Sequence, residues 1–173
     1  MAELQKKMDA LLAGISLNSQ TNASTQKEKK KIKFINLTSG GFTLRGSRFY
    51  HLEKQFDYQL FSENEAHLIV NNMPQSVTNG YIYIADADFV EECELDNVYE
   101  TMLSDKELKE LLNKTPKDVC SIYRNASEEQ KKIILDMIVN KRLNGQEIDA
   151  NILLELGKLS GKDLLEIEPL DGE

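Results

Sequence analysis

The apolar residues of this chain change period twice, and those changes confine the folds open to it. From Ile32 to Ala85 they fall in short β-favouring runs, whereas beyond Asp86 they recur at helical spacing behind explicit capping residues. Ahead of both lies a stretch too polar to bury itself. Strands first and helices afterwards point to an α+β chain.

Leu4, Met8, Leu11, Leu12 and Ile15 make the stripe of an amphipathic helix over residues 1–15, with Lys6, Lys7 and Asp9 on the opposite face and Gly14 near its end. Residues 16–31, SLNSQTNASTQKEKKK, cannot offset the entropy of ordering and are expected to be a flexible linker. An apolar stripe on such a tether is suited to docking in another surface as a helix laid in a groove. No export-type apolar core precedes a small-residue cleavage site, so a reducing compartment is expected and Cys93 and Cys120 are taken as free thiols. The apolar runs fall far short of the ~20 residues that a spanning helix needs, so no membrane span is expected.

Residues 32–91 are expected to form a small β-rich domain, an antiparallel barrel or sandwich. Turn compositions at Thr38-Ser39-Gly40-Gly41 and Arg45-Gly46-Ser47-Arg48 separate the runs Ile32–Leu37, Phe42–Leu44 and Phe49–Leu52. Phe56, Tyr58, Leu60 and Phe61 alternate, and His67–Val70 reads as a further short strand, although Glu63, Glu65, Ala66 and Leu68 also accept a helical turn capped by Ser62. Asn79-Gly80 suits a hairpin into Tyr81–Ala85, the clearest strand of the chain.

Residues 92–168 are expected to form a helical bundle, with residues 169–173 as an acidic tail and fraying from Glu166 onward. Ser104 with Glu107 and Ser127 with Gln130 have capping-box spacing, Thr115-Pro116 opens another helix, and Asp149 caps the next. Gly145 and Gly157 are the expected stops.

The formal net charge of −8 hides a gradient: residues 1–35 carry +4, residues 36–91 carry −4 and residues 92–173 carry −8. Nucleic acid is not an expected partner for such a body, apart from a weak polyanion contact through Lys27, Lys29, Lys30, Lys31 and Lys33. No aromatic residues interleave with those lysines. Asp86, Asp88, Glu91, Glu92, Glu94 and Asp96 are dense in acid but lack the glycine and glutamate positions of a calcium loop, and read as a solvated connection. His51 and His67 have no spacing to each other or to a cysteine that indicates zinc, and are expected at strand ends or on the barrel surface. Gly40-Gly41 with Arg45 and Gly46 lacks the order and the following helix of a phosphate loop. The chain is therefore expected to have no catalytic residues, no cofactor and no metal, and not to be an enzyme. Arg45 and Arg48 are the cations best placed to meet an acidic partner.

Phe34-Ile35-Asn36-Leu37-Thr38-Ser39-Gly40-Gly41, continuing through Leu44 and closing on Gly80-Tyr81-Ile82-Tyr83-Ile84, resembles small β-domain structural proteins of tailed bacteriophages, in which an acidic helical region follows a little barrel. The resemblance covers about a third of the chain. It implies a virion component associated with capsid, neck or tail, acting by binding other protein subunits in multiple copies and found in the virion or cytoplasm. Partner-binding residues are then Leu4, Met8, Leu11, Leu12 and Ile15 with Arg45 and Arg48. The alternative is an acidic regulatory adaptor that binds a host or phage enzyme.

Overall fold

In a computed structural model that describes residues 29–170, the alternation KIKFIN becomes β1 (Lys31–Asn36), the central strand of an antiparallel sheet of order β4-β1-β5. The N-terminal stripe, the linker as far as residue 28 and residues 171–173 lie outside the described residues. Strand β4 (Tyr58–Ser62) pairs with Ile32 opposite Phe61, and β5 (Ile82–Ile84) pairs with Phe34 opposite Ile84. A separate hairpin joins β2 (Phe42–Arg45) to β3 (Phe49–Leu52).

Successive side chains of a strand point to opposite faces, and both faces of β1 are covered. Ile32 and Phe34 enter one core with Leu44, Phe61, Ile69, Ile84 and Phe89; Ile35 and, just past the strand, Leu37 enter another with Leu111, Val119, Ile134, Ile138 and Leu156. Phe34 is fully buried, edge-on to the rings of Phe61 and Phe89 at 5.4 and 6.3 Å. The strand-rich and helix-rich parts thus share one central strand.

Mixed strand and helix content is as expected, but the described strands close no barrel. Ser62, the last residue of β4, is also the cap of helix α1 (Glu63–Asn72), its side chain accepting the Glu65 N–H, so the chain leaves the sheet where a barrel needs another paired strand. His67–Val70 is therefore helical, with Ala66 and Ile69 turned into the core three residues apart. At the other edge β5 is only three residues long, and the Tyr99 hydroxyl accepts the Ile84 N–H at 2.7 Å. Burial holds that phenol far above its ordinary pKa, so it stays a neutral plug on the edge.

Pro74 ends α1 and opens α2 (Pro74–Thr78). Gly80 does not turn a hairpin. It takes φ 74° at the end of α2, where its N–H donates to Val77 and the Tyr81 N–H to Ser76, a Schellman stop. Asp86 caps α3 (Ala87–Glu92) by accepting the Phe89 N–H, and α4 (Asp96–Tyr99) follows. The acid-rich stretch is thus partly the capping and first turns of two short helices.

The later helices are α5 (Asp105–Glu110), followed by a 3-10 turn at Leu111–Asn113, then α6 (Pro116–Asn125), α7 (Glu128–Leu143) and α8 (Ala150–Ser160). Ser104 and Glu107 form the expected reciprocal capping box, and Thr115, Ser127 and Asp149 cap where expected. Gln130 departs from its expected role: buried, it accepts from the Leu103 N–H and donates to the Leu103 carbonyl, clasping a distant loop instead of its own cap. Helix α8 runs past Gly157, which is needed for closeness rather than for a stop, since a Cβ there would lie 2.9 Å from the Lys162 carbonyl oxygen. Nor does the chain fray at Glu166. Arg142 donates to the carbonyls of Leu165 and Ile167, and the Leu170 N–H satisfies the Leu143 carbonyl at the end of α7.

Candidate functional site

Arg45 and Phe49 face each other across the β2–β3 hairpin, on the side away from Leu44 and Tyr50. Two sets of bonds hold this hairpin end. The Glu65 carboxylate on α1 accepts from the Ser47 N–H at 2.6 Å, the Ser47 hydroxyl at 3.0 Å and the Tyr50 hydroxyl at 3.0 Å. Those donors, the Ser47 N–H foremost, and the nearby Arg48 hold its carboxyl below the ordinary value against a smaller opposing effect of burial. A group with a lowered folded pKa stabilises fully above its unfolded pKa, and that stabilisation is lost as pH falls through the folded value. Gly46 has no side chain because a Cβ would meet that same carboxylate.

The second set fixes Arg45. Its N–H points at the Met73 sulfur at 3.1 Å and its carbonyl accepts from the Asn72 side chain at 2.9 Å. Met73 precedes a proline, which biases it out of the helical region to φ −136°, ψ 48°, and this corner between α1 and α2 comes against the strand. Between corner and hairpin lies a groove of about 450 Å³ lined by Thr43, Arg45, Phe49, Asn72, Met73 and Pro74. Phe49 is 72% exposed at its rim, a large apolar side chain left in water. The backbone of Arg45 is thus bonded to the helix corner, and the residue lines the groove.

The two arginines predicted from sequence therefore share one hairpin but not one role: Arg45 lines the groove, whereas the Arg48 guanidinium lies 5.0 Å over the Tyr50 ring. Of the lysine cluster, Lys27 is outside the described residues, Lys31 starts β1, and Lys33 lies 4.0 Å over the Tyr58 ring. His51 is on β3, its Nδ1 3.0 Å from the Thr43 hydroxyl. His67 is on α1, not on a strand, between Glu92 and Cys93. Cys120 is buried in the helical core. Sequence reasoning passed over Phe49 and Glu65. Pairing β2 with β3 about their turn would have placed Phe49 beside Arg45, but nothing local marks Glu65 as the anchor. No family model matches this chain, and no curated protein or solved structure matches it.

Proposed function

We propose that this is a structural, interaction protein that works by attachment within a larger assembly. The observation that supports this most directly is the hairpin groove, where an exposed aromatic and an arginine sit together on a rigidly anchored turn in a stretch that is otherwise acidic. The occupant is an acidic surface of a neighbouring subunit. By charge a second copy of this chain qualifies, since its residues 92–173 carry −8. A groove that receives a different surface of the next copy is a heterologous contact, which builds rings or filaments rather than closed pairs. Leu4, Met8, Leu11, Leu12 and Ile15, which lie outside the described residues, are proposed as a second attachment on the strength of their sequence spacing alone. The virion setting rests on the resemblance of Phe34–Leu44 and Gly80–Ile84 to phage structural proteins.

Sedimentation of the full chain tests this against R45E/R48E, F49A and a form lacking residues 1–30. The full chain is expected to associate in a concentration- and salt-dependent manner, and each variant to shift toward monomer. A full chain that remains monomeric, or one whose association ignores all three changes, overturns the reading.

A further inference from the structure

Away from the groove, helices α1 and α3 bring three metal-binding side chains together. Glu63 and His67 are four apart on α1 and so share a face, and Glu92 comes from the last turn of α3. One donor atom from each lies within 4.8 Å of the others, and His67 Nε2 is 3.2 Å from a Glu92 carboxylate oxygen. Donors about 2.0–2.2 Å from a tetrahedral ion stand roughly 3.3–3.6 Å apart, so the His67–Glu92 pair already has ligand spacing. Only the exposed Glu63 carboxylate has to swing inward.

A second feature points the same way. A ligating histidine ordinarily has its other ring nitrogen held, which sets the tautomer. His67 Nδ1 faces the Cys93 sulfur at 3.8 Å, and the ring lies against Phe89 with centroids 4.7 Å apart. The imidazole is therefore held from behind with Nε2 presented to the Glu92 carboxylate. Two carboxylates neutralise a divalent charge, and an imidazole beside them favours ions such as zinc or cobalt over magnesium and calcium.

We propose that Glu63, His67 and Glu92 form a divalent transition-metal site of the zinc class, with Cys93 behind the histidine and the fourth position open to water or to a neighbouring subunit. The ion would reinforce the contact that His67 already makes from α1 with Glu92 on α3.

Cobalt is the direct probe, because tetrahedral coordination gives it visible absorption. Metal-free full chain should take up one equivalent of Co²⁺ with that spectrum, Zn²⁺ should displace it, and saturating Zn²⁺ should raise Tm. Mg²⁺ should do neither. H67Q should abolish the spectrum, E92Q and E63Q should weaken binding at least about tenfold, and C93S about tenfold through the ring's orientation. H51Q, which alters the other histidine, should bind as the parent does. Circular dichroism identifies any variant that fails to fold, and E63Q, at an exposed position, keeps the test decisive if H67Q does. The site is refuted if the parent takes up no Co²⁺ at stoichiometric concentration, if H67Q or E63Q binds as the parent does, or if H51Q loses binding equally. In those cases His67 and Glu92 make an ordinary surface polar contact.

Discussion

The starts of the later helices and the turns of the strand-rich part satisfy their polar groups at different ranges. Among the later helices the capping bonds are local: Ser104 reaches Glu107, and Thr115 reaches Asp118, three residues on in each case. In the strand-rich part, side chains close turns from far away: Glu65 holds Ser47 from 18 residues off, Asn72 holds Arg45 from 27, and Asn36 holds the Lys54 carbonyl from 18. A local cap needs only its own first turn to form. The turns acquire theirs only when the fold exists. The strand-rich part should therefore be the more cooperative and the more sensitive to single polar changes.

The largest test concerns whether the two parts are separable at all. Phe34→Ala should cost about 3–5 kcal/mol and Ile134→Ala about 2–5 kcal/mol, each opening a cavity in a different core. Since β1 supplies both cores, either substitution should shift one urea transition followed by near- and far-ultraviolet dichroism together. Transitions that split, with I134A moving only one of them, would show that the shared strand does not couple the parts.

Asn36→Leu comes next. Asn36 is fully buried; it donates to the carbonyls of Gly40 and Lys54, at 2.7 and 3.0 Å, and accepts from the N–H and hydroxyl of Thr38. Leucine has the same branched outline, is bulkier and strands those partners, for an expected loss of about 3 kcal/mol in the same titration. A loss under about 1 kcal/mol would mean that water replaces the clasp.

By contrast Ser104→Ala should cost only about 1 kcal/mol, and its effect should stay near the start of α5, as faster amide exchange at Glu107 with Ser47 and Thr38 unaffected. Global acceleration would break the contrast between local and distant satisfaction.

That contrast also accounts for what the sequence could reveal. Period and caps located the strands at Ile32, Phe42, Phe49 and Ile82 and every later helix start at Ser104, Thr115, Ser127 and Asp149, because both signals lie within a few residues. They failed where a distant partner decides: at Gln130, which clasps Leu103, and at Gly157, whose neighbour is Lys162 on the returning chain. At residues 62–72 the β-branched look of His67–Val70 and Ser62 as a cap left strand and helix both open; the structure takes the helix, and only with it does Glu63 align with His67. Of the groove, Arg45 was legible as an exposed cation, but Phe49 needed the hairpin register and Glu65 the packed fold.

The smallest expected effect is a gain. Glu94 ends α3 at φ 56°, with its own N–H on Glu91 and the Leu95 N–H on Val90, the same stop that Gly80 makes after α2. A side chain there costs roughly 1–2 kcal/mol, and glycine returns part of that through the entropy it loses on folding. Glu94→Gly should therefore stabilise by about 0.5–1 kcal/mol, read as a higher urea midpoint at unchanged slope. Phe56 shares the left-handed conformation at φ 68°, but its ring packs against the helical core beneath Lys109, 4.9 Å away, and its N–H donates to the Asn36 carbonyl at 2.7 Å. Phe56→Gly relieves the same backbone strain and loses that packing, so it should destabilise. If both glycines stabilise, the strained turn at Phe56 is as local as a helix end, and the distinction between the two parts fails at that position.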